Sequence, residues 1–241
     1  MHALADNAFT RALGALGKSL GKPKSILCVS AHWYGGGASV THMEKPETIH
    51  DFGGFPDELF AVRYPAPGSP KLAERAAALT GATLDDADWG FDHGAWAVLK
   101  HMYPEADVPV VQLGIDAALS PAAHLARGRA LAPLREEGVL ILGSGNVVHN
   151  LRLAKWTAHP EPYAWNVEFD AHVKTLTEQG KFDELAGDTS SMPGGQAAVP
   201  TPDHWLPYLY VLGAAGKDPV RWAYEGFEMA SMSMRCAVFG A

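Results

Sequence analysis

Three short apolar runs rich in β-branched residues constrain the fold most: Ser25-Ile-Leu-Cys-Val-Ser30, residues 108–115 (VPVVQLGI) and residues 138–143 (GVLILG). Each is strand-length and bounded by turn-forming residues, and the first reads as a buried strand. Helical patterning falls at 7–18, 70–80, 94–102, 121–136, 163–179 and 203–215. Strands that alternate with helices imply βα units and a largely parallel sheet. Val220–Phe227 and Ser231–Phe239 have no helix between them and predict a hairpin. The expectation is therefore a single α/β domain with a central mixed, largely parallel sheet flanked by helices. A chain of 241 residues, 47% of them apolar, suits one such domain. Residues 44–69, rich in Pro and Gly, exceed a simple connection, and loops of that length in a compact domain usually carry function.

Composition narrows the partners. A net charge of −8 without a Lys/Arg cluster argues against nucleic acid and against an anionic membrane surface. No apolar stretch reaches the roughly 18 to 20 residues that cross a bilayer. Cys28 and Cys236 lie far apart in apolar runs, which reads as buried thiols in a reducing compartment. The expected setting is cytoplasmic, and the expected partner is a small molecule.

Four of the eleven histidines fall where a strand gives way to a loop or helix: His32, His93, His149 and His204. In open α/β sheets ligands bind beyond the carboxyl ends of strands, so these positions can converge on one cleft. Spacing alone leaves the other reading open, of capping or core histidines with satisfied hydrogen bonds.

The residues around them resemble the DOPA-dioxygenase branch of the class III extradiol, or LigB, superfamily. The matching segments are Ser30-Ala-His-Trp33, Thr48-Ile-His-Asp-Phe-Gly-Gly-Phe-Pro56, Tyr64-Pro-Ala-Pro-Gly68, Asp92-His-Gly-Ala-Trp96, Gly143-Ser-Gly-Asn146 with His149-Asn-Leu151, and Thr201-Pro-Asp-His-Trp205. They occur in family order and span most of the chain. The resemblance implies a dioxygenase that inserts O2 into a DOPA- or caffeate-like catechol ring next to the diol, using Fe(II) or Zn(II). It implies His32 and His204 as metal ligands, His149 as general base and as a further ligand to zinc, and His93 as the residue that assists. Imidazoles suit both metals, and a facial set leaves positions for a chelating diol and for O2. A histidine that titrates near neutrality can accept the catechol proton. A neutral His93 would then donate a hydrogen bond to developing negative charge. Two other readings use the same residues: a zinc-dependent hydrolase, and a non-catalytic binding protein that keeps the fold.

The family's N-terminal His-Gly-Ser-Pro, which supplies one more ligand, is not in this sequence. Met1-His-Ala-Leu-Ala-Asp-Asn7 resembles the residues that follow it. The expectation is a reading that starts at an internal methionine, so that domain 1–241 lacks its first strand. The alternative is a genuine two-histidine site, or one completed by His2 folding back. His50 either lines the substrate pocket or is bonded to loop backbone. Asp51, Asp92 and Asp203 either orient imidazoles or cap turns and helices, Asp203 as N-cap of the last helix. His42, His101, His124, His159 and His172 are expected to be exposed. Gly35–Gly37 and Gly143-Ser-Gly145 lack the residues of a phosphate loop and predict turns. Trp165, Phe169, Val173 and Leu176 recur at helical spacing as a core stripe.

Overall fold

Residues 2–240 are described by the structure, a computed structural model. Met1, on which the expected internal start falls, lies outside the described residues, as does Ala241. Helix α1 (Ala8–Leu20) opens on a capping box: Asn7 accepts from the Thr10 amide at 2.9 Å, and Thr10 Oγ1 accepts from the Asn7 amide at 3.0 Å. It leads into β1 (Ser25–Gly35), β2 (Ser39–Thr41), α2 (Asp57–Phe60), α3 (Pro70–Thr80), β3 (Thr83–Asp85), α4 (His93–Met102), β4 (Val110–Asp116), α5 (Pro121–Leu131) and α6 (Pro133–Glu136). There follow β5 (Val139–Ser144), α7 (Ala164–Glu178), α8 (Phe182–Leu185), α9 (Gly195–Ala198) and α10 (Leu206–Ala215). The chain ends in β6 (Val220–Tyr224), β7 (Phe227–Glu228), β8 (Met232–Ser233) and β9 (Cys236–Phe239).

Five strands form the central sheet in the order β3-β2-β4-β1-β5. β1 runs parallel to both β4 and β5, and β2 runs parallel to β3. The one antiparallel contact joins β2 to β4, at Val40 and Leu113. The sheet is mixed and mostly parallel, as the alternation of strands and helices predicts. Its two short strands leave no signature in the sequence, because three residues carry no readable period. The predicted hairpin is present as β6 against β9, with β7 and β8 paired inside it.

Side chains of β1 alternate between two cores, as a strand's period of two requires. Leu27 and Val29 join the larger core with α3, α5, α7 and α10; Ile26 and Cys28 join the other with α1 and α4. Phe169, Val173 and Leu176 of the predicted stripe are buried in the larger core, and Trp165 packs against it. Each fully buried side chain of the size of Leu27 stabilises the fold by roughly 2 kcal/mol.

Proline marks two departures from expectation. The helix predicted over 121–136 ends at Leu131, and Pro133 begins the separate short helix α6. The last helix begins at Leu206 with Trp205 at its N-cap and Pro207 in its first turn, so Asp203 lies in the preceding turn and caps nothing. Of the histidines expected outside, His124 is fully buried, its Nδ1 3.1 Å from Tyr210 Oη. His159 is exposed, whereas His42, His101 and His172 are half-buried. Both cysteines are free, Cys28 buried as expected and Cys236 half-buried. Among the described residues no helix is long and apolar enough to cross a membrane.

Candidate active site

Strand β1 changes course where its histidine stands. Its pairing with β4 is regular from Ile26 to Val29 and resumes at Tyr34, but the steps from Val29 to Tyr34 span only Leu113 to Ile115 on β4. The excess residues form a bulge holding Ser30, Ala31, His32 and Trp33. Bulges re-aim side chains, and this one sets His32 at the carboxyl end of the sheet.

Helix α4 then approaches that end. Its N-cap Asp92 is fully buried and accepts from the Ala95 amide at 3.0 Å and from Ser30 Oγ of β1 at 2.8 Å. Gln112 of β4 donates through Nε2 to the second carboxylate oxygen. One carboxylate thus ties α4 to two strands, and its burial raises its pKa. Close approach also needs Gly94, where a Cβ would stand 2.4 Å from Ser30 Oγ and 2.8 Å from His32 Cδ2. The result is a pair of histidine rings, His32 and His93, with centroids 3.8 Å apart.

The long loop after β2 is pinned rather than loose. Its Ile49 amide donates to Phe91 O at 2.9 Å, the Phe91 amide donates to Glu47 O at 2.7 Å, and Trp96 Nε1 donates to Ile49 O at 3.0 Å. This staple carries Asp51 to the start of α4. Asp51 Oδ1 accepts from the His93 amide at 2.8 Å, and Oδ2 lies 2.8 Å from His93 Nδ1 and 3.6 Å from His32 Nδ1. His50 places Nε2 3.1 Å from Val62 O and packs among the rings of Phe52, Phe60 and Trp96. Phe52 in turn meets His93 edge to face at 5.3 Å.

From the other side come His149 and His204. The loop after β5 holds His149 through its amide, which donates to Ala198 O at 3.0 Å. Gly145 lets the backbone at His204 come close, since a Cβ there would lie 2.4 Å from His204 O. At Gly143, within β5, a Cβ would meet Pro207 O at 2.6 Å. These glycines serve close packing of α10 on β5, where the sequence suggests only turns. His204 Nδ1 lies 3.3 Å from Asn146 Oδ1, and its ring meets His32 at right angles, centroids 5.3 Å apart. His149 stacks on His204 at 3.5 Å.

The four sequence-predicted histidines therefore stand in one continuous line of ring contacts, His93 to His32 to His204 to His149. Burial, reinforced by the neighbouring His93, drives the pKa of His32 down to about 4. Burial lowers His149 as well, and lowers His204 further, with His149 and His32 adding to the effect on His204. Neutral imidazoles with free lone pairs are what a divalent ion of intermediate softness takes. Among the described residues, His32, Asp51 and His93 have donor atoms all within 4.8 Å of one another. The sequence suggests Asp51 only as an orienting or capping group; its place in this cluster depends on the loop staple, which no local motif announces. His2, considered as a substitute ligand, is engaged elsewhere, with Nε2 2.6 Å from Glu228 Oε2 and Nδ1 2.9 Å from Asn7 Nδ2.

Comparison with known proteins agrees with this architecture. The profile of the family described as catalytic LigB subunit of aromatic ring-opening dioxygenase matches residues 7–240. The chain is similar to a 4,5-DOPA dioxygenase extradiol of Escherichia coli K12, 49% identical over 246 residues that cover 100% of this chain and 91% of that protein. A 4,5-DOPA dioxygenase extradiol of Beta vulgaris is 40% identical over 202 residues, covering 82% of this chain and 75% of the relative. A solved structure of an uncharacterised Escherichia coli K12 protein superposes with a TM-score of 0.82 at 44% identity, covering 98% of this chain and 94% of the other.

Proposed function

Because the chain belongs to the family of the catalytic LigB subunit of aromatic ring-opening dioxygenase, we propose that it is an extradiol dioxygenase for a catechol-type substrate of the DOPA or caffeate class. The carbon–carbon bond next to the diol breaks, and both atoms of O2 enter the ring-opened product. The observation that carries this reading is the unbroken line of His93, His32, His204 and His149 at the carboxyl end of the sheet.

The donor set fits Fe(II) or Zn(II): neutral imidazoles gathered from separate elements, with a carboxylate beside them. His32 and His204 are the proposed ligands; His149 adds a third where the ion is zinc, and where it is iron keeps its lone pair free to act as the base. When bound, the ion would hold diol and O2 side by side and favour the ionised diol. The Asp51–His93 edge of the His32–Asp51–His93 group is already an internal hydrogen bond, so those two residues are assigned to positioning and proton handling rather than to the ion. His149 and His204, stacked face to face, keep their lone pairs in two parallel planes, so a shared ion requires one ring to turn.

The chain's own residues supply the rest. His149, kept neutral by burial, accepts the proton of the diol on an imidazole nitrogen. His93 stands on the far side of His32 to assist. His50, Phe52 and Phe60, backed by the buried Trp96, form an aromatic wall beside His93, which gives the substrate ring a flat apolar surface.

Anaerobic loading with Fe(II), followed by an oxygen electrode and absorbance readings with L-DOPA and caffeate, tests the assignment. One O2 consumed per coloured ring-fission product supports it. Zinc-dependent hydrolysis without oxygen uptake would transfer the site to the hydrolase reading. Stoichiometric catechol binding with no turnover under either metal would leave a binding protein.

A further inference from the structure

A neutral imidazole offers one donor and one acceptor, and the partner of one nitrogen decides which role falls to the other. His93 is held by Asp51 at two points: its amide reaches Oδ1 and its Nδ1 reaches Oδ2, each at 2.8 Å. An ionised carboxylate accepts only, so the bond at Nδ1 is an Nδ1–H donating to Asp51. Among the described residues, Nε2 makes no hydrogen bond within the protein. Two contacts to one carboxylate fix the ring's rotation as well as its tautomer, and the stapled loop leaves Asp51 little room to follow a different orientation.

We propose that Asp51 is the positioning residue for His93, locking it as the Nδ1–H tautomer so that Nε2 presents a lone pair to the cleft. A neutral His93 then accepts a proton at Nε2; it donates there only after taking one. This reverses the motif-based expectation of a neutral, donating His93 and gives the site a second proton acceptor, separated from His149 by His32 and His204. The proposal deepens the dioxygenase reading and rests on it for the kinetic part of its test alone.

Asp51→Asn is the informative variant. The introduced carboxamide oxygen still accepts from the His93 amide, but its NH2 group donates toward Nδ1 and forces the proton to Nε2. Long-range 1H–15N correlation spectra of the metal-free chain read the tautomer without reference to activity. Wild type is expected to show a protonated Nδ1 and an unprotonated Nε2, and Asp51→Asn the reverse. In the Fe(II)-loaded protein kcat is expected to fall by about 10- to 100-fold, with KM within about threefold of wild type and metal content unchanged. A wild-type Nε2–H tautomer overturns the proposal, as does an Asp51→Asn spectrum identical to wild type. Loss of bound iron in the variant also overturns it, since Asp51 would then be a ligand. If wild type turns over no catechol while the spectra behave as stated, the reading of function fails and the positioning role stands.

Discussion

The imidazole of His149 lies flat on that of His204, ring centroids 3.5 Å apart and planes 8° from parallel. Two like charges cannot be held so close in a buried setting, so at most one of the rings is a doubly protonated imidazolium. The two residues nonetheless have separable tasks. His204→Gln is expected to lose iron or zinc, read as metal per chain after dialysis. His149→Gln is expected to lower kcat by about 10²- to 10⁴-fold, as removal of a general base does, while keeping at least half of the metal. Equal loss of metal in both variants would place His149 among the indispensable ligands and remove it as base.

Stability should depend on pH through the same cluster. His32 is held near 4 by burial and by His93, while an unfolded histidine titrates near 6.5. Between those values the unfolded chain holds the proton and the folded chain does not, so stability is lost as pH falls from about 7 toward 4. His149 and His204 shift in the same direction and add to the effect. The ceiling for His32 is roughly 3 kcal/mol, before allowance for its partial exposure. Urea midpoints at pH 7 and pH 5, taken in the presence of a chelator, should show the fall. His32→Gln should flatten it, and an unchanged slope in that variant would mean that His32 is not held neutral in the fold.

Much of this arrangement can be read from the sequence, for a physical reason. β1, β4 and β5 contain strand-length apolar runs, and all four histidines fall toward the end of the sheet where an α/β fold opens its cleft, although His32 stands on a bulge inside β1 rather than past its end and His204 in the turn before α10 rather than at its start. What is not readable is whatever depends on distant backbone meeting backbone. Asp51 reaches His93 only because residues 47–49 pair with Phe91. His124 looks like a surface residue of an amphipathic helix, yet it is buried against Tyr210 of α10. Gly143 and Gly145 look like turn residues, and their function is to let α10 and His204 close on β5.

Gly94 offers a test of how tightly the two nearest histidines are held. In a helix's first turn Gly→Ala gains at most about 1 kcal/mol of propensity. Here the added methyl would press on Ser30 Oγ at 2.4 Å and on the His32 ring at 2.8 Å. Overpacking of this kind costs about 1–3 kcal/mol and is expected to win. Gly94→Ala should therefore lower the urea midpoint and weaken metal binding together, because the methyl presses directly on the ring of His32, a proposed ligand, and displaces it. A stabilised variant with wild-type metal affinity would show that the approach of α4 has slack.

Asp92 is the anchor of that helix, and its partners prescribe its chemistry. Every polar contact at its carboxylate is a donor: Ser30 Oγ, the Ala95 amide, Gln112 Nε2 and, at 3.4 Å, Trp89 Nε1. The Asp92 amide, in turn, donates to Gln112 Oε1 at 3.3 Å. Asp92→Asn keeps shape and volume but sets an NH2 group against the NH2 of Gln112, leaving buried donors unpaired at a cost of about 2–4 kcal/mol. Restoring one acceptor should restore most of that loss. In the double variant Asp92→Asn, Gln112→Glu the new carboxylate accepts both from the introduced NH2 group and from the backbone amide of residue 92. The carboxamide oxygen at that position still accepts from Ser30 and Ala95. Urea unfolding of the wild type, both single variants and the double variant gives the coupling directly. A double variant less stable than either single one would mean that the carboxylate must sit at the N-terminus of α4, where the helix dipole favours it, and that charge placement outweighs donor–acceptor matching.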